Sequence, residues 1–428
     1  MIFYMETNFK KEPSIGEIPT EWGIVKLGNS EVASLIKSGS TPAKNRDDYW
    51  NGSIPFVTIG DMTKTVKYLY DTENKITEFA LKNSNTLLVP ENSILLSMYG
   101  TVGKIVINKI ATAISQNIAA IIPNRENVDA EFLHYVLMHY SFQFKGAKII
   151  TLKHLDIQMV KNAKIPLPPI EEQRAIAEVL SAVDSVIAKT DEVIAKTERL
   201  KKGLMQTLLT KGIGHKEFKE TEIGKIPKTW QVVKLEEVVL EAKSGFASGK
   251  RDENGILQLR MDNIEADGWI NPAAGVKVPI PPDVEEYLLK PGDILFNNTN
   301  SVDLIGKTAI FRGEIPKCVF SNHLTRIRVN RERVIPEWIL YVLVRKWQTG
   351  VFKAICHRHV HQAGINNNDL LNIKIPLPEI SEQQKIVHIL LTTDKKLKIE
   401  KQEKARLEKI KRGLMDLLLT GKIRVKVD

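Results

Sequence analysis

The feature that most constrains this chain is a long internal repeat that divides it into two similar halves. Residues 15–22 (Ile-Gly-Glu-Ile-Pro-Thr-Glu-Trp) recur 208 residues later as residues 223–230 (Ile-Gly-Lys-Ile-Pro-Lys-Thr-Trp). Residues 164–168 (Lys-Ile-Pro-Leu-Pro) recur as 374–378, and residues 203–205 (Gly-Leu-Met) recur as 413–415, both 210 residues later. This period is far longer than that of solenoid repeats. The sequence therefore predicts a tandem duplication of one large unit.

Each repeat closes with a segment that is predicted to be a long helix. Residues 170–202 and 379–412 contain neither glycine nor proline. Prolines before each segment and carboxylates in its first turn mark helix starts: Pro168, Pro169, Glu171 and Glu172, then Pro376, Pro378, Glu379 and Glu382. Ser381 and Gln384 have the spacing of a capping box. At about 1.5 Å per residue, roughly 38 residues form a rod of about 57 Å.

Apolar residues in these helices recur at alternating intervals of three and four, which is typical of a coiled-coil seam. They are Ile176, Leu180, Val183, Ile187, Ile194, Leu204 and Leu208, then Ile386, Leu390, Leu397, Leu407, Leu414 and Leu418. The alternative is that each stripe packs on its own domain. Because the first helix leads towards the second repeat, a second helix that packs along it must run back. The pair is therefore predicted to be antiparallel, with pseudo-two-fold symmetry and with the chain ends close together.

The rest of each repeat is predicted to be mixed. Short β-rich runs occur at 93–96, 104–107, 293–296 and 308–311, and helical runs at 132–137 and 338–343. The predicted fold class is α+β, with two similar mixed α/β domains joined by two long antiparallel coiled-coil helices. We predict a first domain at 1–165, a first helix at 166–212, a second domain at 213–375, and a second helix with a C-terminal tail at 376–428.

Charge and cysteine content narrow the class of function. The net charge of +10 and the pI near 9.2 indicate an anionic partner, with nucleic acid ahead of a membrane surface. Cys318 and Cys356 form neither a disulfide framework nor a zinc spacing, which fits a reducing compartment. No stretch approaches the roughly 18 consecutive apolar residues of a membrane helix, and the N-terminal apolar run is too short for a signal peptide. We expect a cytoplasmic protein that does not contact a membrane.

No segment forms a convincing catalytic or cofactor site. Residues 301–308 end like a phosphate-binding loop, but Ser301 stands where the first glycine is needed, and a tight turn is the alternative. Residues 356–361 (Cys-His-Arg-His-Val-His) resemble zinc ligands, yet the first repeat has no ligands at the matching place. A basic, hydrogen-bonding loop beside DNA is the favoured interpretation of that segment. The sequence predicts a binding protein that is not an enzyme and holds no metal or cofactor.

Basic and polar loops are the candidate DNA contacts. Arginine reads guanine and asparagine reads adenine in the major groove, while lysine contacts phosphates. In the first domain the candidates are Lys44, Arg46, Tyr49, Ser97, Tyr99, Thr101 and Lys104. In the second they are Lys250, Arg251, Arg260, Asn297, Asn298, Asn300, Lys307, His323 and Arg358. For Tyr49 and its neighbour Trp50, packing inside the domain is the alternative.

Taken together, the repeated motifs resemble type I restriction-modification DNA-specificity subunits. The motifs are Ile-Gly-x-Ile-Pro-x-x-Trp at 15–22 and 223–230, Ile-Pro-Leu-Pro-x-x-x-x-Gln at 165–173 and 375–383, and Gly-Leu-Met-x-x-Leu-Leu-Thr at 203–210 and 413–420. Residues 39–42 (Gly-Ser-Thr-Pro) with Tyr49 and Trp50 also resemble the family's first-domain loop. The second domain departs from this loop, with Ser-Gly-Phe-Ala at 244–247.

The resemblance implies two target-recognition domains that each read half of a bipartite, asymmetric site in double-stranded DNA, with the helices as spacers. It implies two modification (methyltransferase) subunits that use S-adenosylmethionine and ATP-driven restriction subunits that use ATP and magnesium, none of which binds here directly. The alternative function is a coiled-coil adaptor whose end domains bind proteins, and a divergent duplicated enzyme ranks third. The target sequence itself does not follow from the residues.

Overall fold

The computed structural model describes residues 2–141, 155–358, 360 and 362–426. It divides into two compact units. The first combines Met1–Asp191 with Gln402–Asp428, and the second is the continuous segment Glu192–Lys401. Each unit therefore contains one mixed domain and about half of each long helix, instead of the helices standing apart as domains of their own.

The described part of the first domain consists of strands β1 to β14 and helices α1 to α4. The strands are Ile2–Met5, Phe9–Glu12, Gly16–Pro19, Gly23–Lys26, Ala33–Ser38, Trp50–Val57, Tyr68–Leu69, Asn74–Ile76, Leu87–Val89, Ile94–Ser97, Ile105–Asn108, Thr112–Ile114, Ile118–Pro123 and Lys164–Leu167. The helices are Ile59–Lys64, Glu78–Asn83, Ala130–His139 and Ile157–Asn162. The long helix α5, Ile170–Lys211, follows.

The core of the first domain lies on both faces of one sheet. Five strands follow the order β5-β13-β10-β11-β7, and a second sheet has the order β8-β6-β12-β9. Ile94 and Leu96 of β10 face the core shared with α3, whereas Leu95 between them faces a second apolar cluster. Burial on both faces explains why these strands are continuous apolar runs without the alternation of a half-exposed strand.

The second domain repeats this arrangement with strands β15 to β28 and helices α6 to α8. The strands are Phe218–Thr221, Gly224–Pro227, Gln231–Lys234, Val239–Ser244, Ile256–Leu259, Val276–Val278, Ile294–Asn297, Thr299–Asn300, Thr308–Ile310, Cys318–Phe320, Leu324–Val329, His357–Arg358, Ala363–Gly364 and Lys374–Leu377. The helices are Pro336–Gln348, Val351–Ile355 and Asn367–Leu371. Sheet β18-β25-β21-β23 corresponds to β5-β13-β10-β11, and the predicted strands and helices of both domains are confirmed.

The second long helix, α9, spans Ile380–Leu419, and strand β29, Ile423–Lys426, follows it. Both long helices run through their internal glycines without a break. Ser381 lies inside the first turn of α9, so the predicted capping box with Gln384 is wrong. Gln383 instead ties the start of α9 to the domain, because its side-chain amide donates to the carbonyls of Pro378 and Arg333. No helix in the described part of the chain is both long and apolar enough to cross a membrane.

Ion pairs establish the direction of the helix pair inside each unit. In the first unit Asp184 pairs with Lys411 and Asp191 with Lys404, both at 2.6 Å. In the second, Glu198 pairs with Lys401 at 2.8 Å and Lys201 with Asp394 at 2.5 Å. One partner's number rises as the other falls, so the helices are antiparallel, as predicted. Every predicted seam residue is buried or half-buried, and the seam near the helix ends also packs on a domain core.

A polar triad, half-buried in the first unit and buried in the second, recurs in both units and joins a domain to both helices. In the first unit the Tyr135 hydroxyl donates to Asp184 at 2.6 Å, on the carboxylate that also pairs with Lys411. In the second, Tyr341 donates to Asp394 at 2.7 Å, on the carboxylate paired with Lys201. Burial, reinforced by the neighbouring carboxylate, raises the pKa of both tyrosines, so each hydroxyl keeps its proton and acts as a donor.

The repeated motifs form the joint between each domain and its helices. The Trp22 ring is buried, and its indole N–H donates to Glu172 of α5 at 3.1 Å. Trp230 makes the same bond to Glu382 of α9 at 2.9 Å. Gln173 donates to the carbonyls of Pro168 and Asn127, matching the bonds of Gln383. These residues are therefore shared by the repeats because one joint is built twice.

The chain ends meet in the first unit, as predicted. Strand β1 pairs antiparallel with β29, with Ile2 opposite Lys426. The Arg424 guanidinium contacts both oxygens of Glu172, at 2.7 and 2.9 Å. Only 5% of the Arg424 side chain and 6% of the Glu172 side chain are exposed. The C-terminal segment is therefore an internal part of the first unit.

Candidate nucleic-acid interface

Three loops meet at one edge of the first domain. The turn between β10 and β11 lies beside the turn between β12 and β13, because the Met98 N–H donates to the carbonyl of Asn117 at 2.8 Å. The loop after β5 joins them through a hydrogen bond from the Thr41 hydroxyl to Gln116. We call residues 39–46, 97–104 and 115–117 the first turn cluster.

The second domain builds the same cluster from residues 244–251, 297–307 and 321–323, the second turn cluster. The Asn298 N–H donates to the carbonyl of His323 at 3.1 Å. A glycine allows the close approach of the first loop in both domains. A Cβ on Gly39 would lie 1.9 Å from the Ile114 oxygen, and a Cβ on Gly245 would lie 2.1 Å from the Phe320 oxygen. Gly245 therefore fills the place of Gly39, although the sequences around them differ.

Seven of the predicted contact residues are exposed at the turn clusters or on a strand paired to them, and one of the seven, Arg46, forms an ion pair with Asp48. Lys44, Tyr99 and Thr101 belong to the first cluster, and Lys250 and Arg251 to the second. Arg358 lies on β26, which pairs with β27, and β27 pairs in turn with β22 of the second cluster. The structure thus brings together residues that are up to about 110 positions apart in the sequence.

Four predicted contacts are buried and need correction. Tyr49 packs in an apolar core with Phe56 and Ile76 and leaves only 6% of its surface exposed. The Ser97 hydroxyl is buried and donates to the carbonyls of Tyr99 and Thr101. Asn298 donates to Asn322 and Thr325, and Asn297 is fully buried beside it in the chain. These side chains shape the turns and present no surface to DNA.

Arg46 and the predicted residues that are neither exposed nor fully buried mainly hold the loops. Arg46 is exposed, but its guanidinium pairs with Asp48 and lies 4.5 Å from the Tyr49 ring. Lys307 donates to the carbonyl of Ile264 at 2.6 Å, and Arg260 donates to Gln258.

Three further members of this group are half-buried. Lys104 is half-buried, which lowers the pKa of its ammonium group. Asn300 accepts the N–H of Ser301 at 2.7 Å, and His323 is half-buried at the centre of its turn.

Sequence reasoning missed Gln116, Asn117 and Asn322. All three lie in turns, and Gln116 and Asn322 are exposed. Gln116 and Asn117 line a groove of about 590 Å³ whose apolar wall includes Trp50 and Phe56. Ser115 and Ser321 lie 206 residues apart, and each follows a buried strand. A serine at this place in both repeats is the sequence signal that could have identified the two turns.

Metal binding receives no support from the described residues. His357 lies 2.7 Å from a carboxylate oxygen of Asp369 and is paired with it. His359 and His361, the other members of the predicted zinc-like segment, lie outside the described residues. Within the ranges that are described, no three histidine, cysteine or carboxylate side chains are placed to hold an ion.

Each unit contains one copy of the domain, an antiparallel pair of helix halves, and a turn cluster that presents cations and amides. This arrangement defines a duplicated recognition protein. The model of the type I restriction modification DNA specificity domain matches residues 19–199 and 227–409. The MjaVIII type I restriction enzyme specificity subunit of Methanocaldococcus jannaschii is 32% identical over 443 residues, which cover 100% of this chain and 98% of that protein. The putative MjaX specificity subunit of the same organism is 30% identical, with 99% and 98% coverage.

Solved structures show the same fold. A type I restriction-modification system S subunit from M. genitalium matches with a TM-score of 0.59 at 16% identity, covering 97% of this chain and 99% of that one. A chain from a study of complex assembly and conformational transition in the type I R-M system matches with a TM-score of 0.57 at 21% identity, with 95% and 99% coverage. The chain belongs to the family of type I restriction-modification DNA-specificity subunits, which recognise DNA sequence and are not catalytic. The adaptor alternative is not favoured.

Proposed function

We propose that this chain reads a bipartite, asymmetric site in double-stranded DNA, with one half-site for each turn cluster. The observation that carries the proposal is the repetition of one scaffold with different exposed side chains. Cations such as Lys44 and Arg251 suit phosphates, and exposed amides such as Gln116 and Asn322 suit base edges. Because the exposed residues differ between the clusters, the half-sites differ in sequence.

A domain exchange tests this function. Replacing residues 28–163 with the corresponding segment of a relative that has another target is expected to change one half-site only, as mapped by methylation with the modification subunits. A filter-binding titration supplies the control, because a DNA reader loses affinity steeply as salt displaces it from phosphates. Binding without sequence preference, or a change in both half-sites, would contradict the proposal.

We propose that the partners include two modification subunits, one docked on each copy of the helix motif. Gly203 and Gly413 are exposed in helix interiors, and a Cβ on either would meet nothing within 4 Å. Glycine there costs roughly 0.5–1 kcal/mol relative to alanine, so the packing of this chain does not account for it. Close approach of a partner helix does account for it.

Exposed apolar residues beside both glycines support a docked helix. Leu200 is 57% exposed and Ile410, 210 residues later, is 43% exposed. Along α5, Leu200, Gly203 and Leu204 line a groove of about 470 Å³ that also includes Thr207 and Leu208. The apolar strip at intervals of three and four suits the apolar face of a helix.

Paired substitutions test the docking. Gly203→Ala is expected to stabilise the isolated chain slightly, by roughly 0.5–1 kcal/mol, in thermal unfolding. Gly203→Leu combined with Gly413→Leu is expected to abolish co-purification of the modification subunit while the isolated chain keeps its melting temperature. Retention of the modification subunit by the double leucine variant would refute this docking site.

We further propose that the chain acts in the cytoplasm and holds no cofactor itself, so that S-adenosylmethionine serves the modification subunits while ATP and magnesium serve the restriction subunits. The support is that this chain belongs to the family of specificity subunits, which are the non-catalytic recognition components of type I systems. The purified chain supplied with all three is expected neither to methylate nor to cut DNA. Methyl transfer by this chain alone would overturn the proposal.

A further inference from the structure

The two turns that carry Gln116 and Asn322 are the same structural device. The Ile118 N–H donates to the Ser115 carbonyl at 3.1 Å, and the Leu324 N–H donates to the Ser321 carbonyl at 2.9 Å. Each is thus a β-turn closed from its first to its fourth residue. The central positions hold Gln116 and Asn117 in the first domain, and Asn322 and His323 in the second.

The frame of each turn is rigid. Strands β12 and β13 enclose the first turn and strands β24 and β25 the second, and nearly all of their residues are buried. The first serine of each turn is about 6% exposed. The third residue is fastened through its carbonyl, which accepts the N–H of Met98 or Asn298. Side chains at the central positions therefore start from a fixed backbone.

The central side chains have the chemistry of base readers. An amide presents a donor and an acceptor side by side, which suits the bidentate pattern of adenine in the major groove. Asn117 and Asn322 have no side-chain hydrogen bond to another described residue, so both groups of each amide remain available to a ligand. Gln116 accepts a hydrogen bond from Thr41, which holds its carbonyl oxygen and leaves its NH₂ group to donate.

We propose that the central dipeptide of each turn, Gln116-Asn117 in the first domain and Asn322-His323 in the second, reads base edges and determines part of its half-site. The inference rests on the proposed function and names the residues that carry out the reading. A scaffold that is kept while its projecting residues differ explains how two similar domains read different sequences. The groove beside Gln116 adds an apolar wall that suits a thymine methyl group.

An exchange of the dipeptides tests the proposal in the full chain assembled with its modification subunits. Gln116→Asn with Asn117→His is expected to alter the preferred base at one or two positions of the first half-site. A bidentate contact corresponds to about 5- to 150-fold discrimination per position. Asn322→Gln with His323→Asn is expected to alter the second half-site only. The readout is selection from a duplex library randomised in both half-sites.

Asn162→His is the matched control, since Asn162 is an exposed amide of the same domain that bonds to Lys26 outside the turn cluster. It is expected to leave both half-sites unchanged. Dipeptide variants that keep both wild-type half-sites would overturn the proposal while the proposed function stands. Equal loss of affinity for every duplex, with an unchanged melting temperature, would also overturn it. A wild-type chain without sequence preference would refute the proposed function itself.

Discussion

Removal of Lys201 from the buried triad that it forms with Asp394 and Tyr341 is expected to destabilise the second unit strongly. Asp394 is 3% exposed, and the side chain of Lys201 is 9% exposed. In the Lys201→Met variant the carboxylate stays buried with only the Tyr341 hydroxyl as a partner. Breaking a buried ion pair by removing one partner costs about 3–5 kcal/mol, and we expect a loss of that size in the free energy of unfolding.

A surface pair on the same helices supplies the control. Lys401 and Glu198 lie 2.8 Å apart, but about half of each side chain is exposed. Lys401→Met is therefore expected to cost about 1 kcal/mol or less. The double variant Lys201→Met with Asp394→Leu removes both buried charges and is expected to recover most of the stability, because buried pairs replaced by apolar residues often lose little.

Urea unfolding followed by tryptophan fluorescence measures these differences. Four of the six tryptophans of the chain, at 230, 269, 338 and 347, lie in the second unit and report mainly its transition. If Lys201→Met costs no more than Lys401→Met, the buried triad is not a strong stabilising contact. If the double variant is less stable than Lys201→Met, uncompensated charge is not the cause of the loss.

Three further predictions concern the first unit and the helices. Burial lowers the pKa of His134 from its ordinary 6.5 to about 3. The free energy of unfolding is therefore expected to fall by about 1.4 kcal/mol per pH unit as the pH drops from 6.5 towards 3, because only the unfolded chain takes up the proton. His134→Leu is expected to flatten that slope in urea unfolding measured from pH 7 to 4.5. Arg424→Met leaves Glu172 buried without its cation and is expected to lower the free energy of unfolding of the first unit by about 3–5 kcal/mol. Thermal unfolding measures the loss. Lys422 forms an exposed ion pair with Asp416, so Lys422→Met is the control that is expected to have little effect. Inserting seven residues into both α5 and α9, after 191 and 401, preserves the seam and lengthens each helix by about 10.5 Å. Methylation mapping is then expected to show about three more base pairs between the two half-sites, with both half-site sequences unchanged. An unchanged distance between the half-sites would mean that the helices do not set it.

The parts of the fold that were predicted are those with local signals. Helix α5 was evident from its apolar spacing and from the missing glycines and prolines, and the strands from their continuous apolar runs. The direction of the helices followed from connectivity alone. The Ser381 capping box was wrong because α9 begins at Ile380, which places Ser381 inside the helix. The start of α9 is held by Gln383, whose partner Arg333 lies 50 positions away, and short spacing carries no information about that contact.

The site was predicted only in part, because residue type does not reveal which way a side chain points. Ser97 and Gln116 are both small or polar residues at turns, yet the first is buried under its loop and the second is exposed. The difference arises from strand register and from hydrogen bonds between distant segments. Asn298 looked like a base reader for the same reason, although its amide is consumed by Asn322 and Thr325.

The discontinuity of the first unit has a consequence for biosynthesis. Its core requires Met415, Leu418 and the Arg424 contact with Glu172, all of which are translated after the second unit. The second unit, Glu192–Lys401, is complete earlier. The domain that is translated first therefore has to wait with an open core, while the domain translated second folds first, in reverse of the usual N-terminal order. Proteolysis of nascent chains stalled after residue 401 plus an exit-tunnel tether is expected to show a protected second unit and a cleavable first one. The segment Gln402–Asp428 therefore decides when the N-terminal half becomes a folded domain.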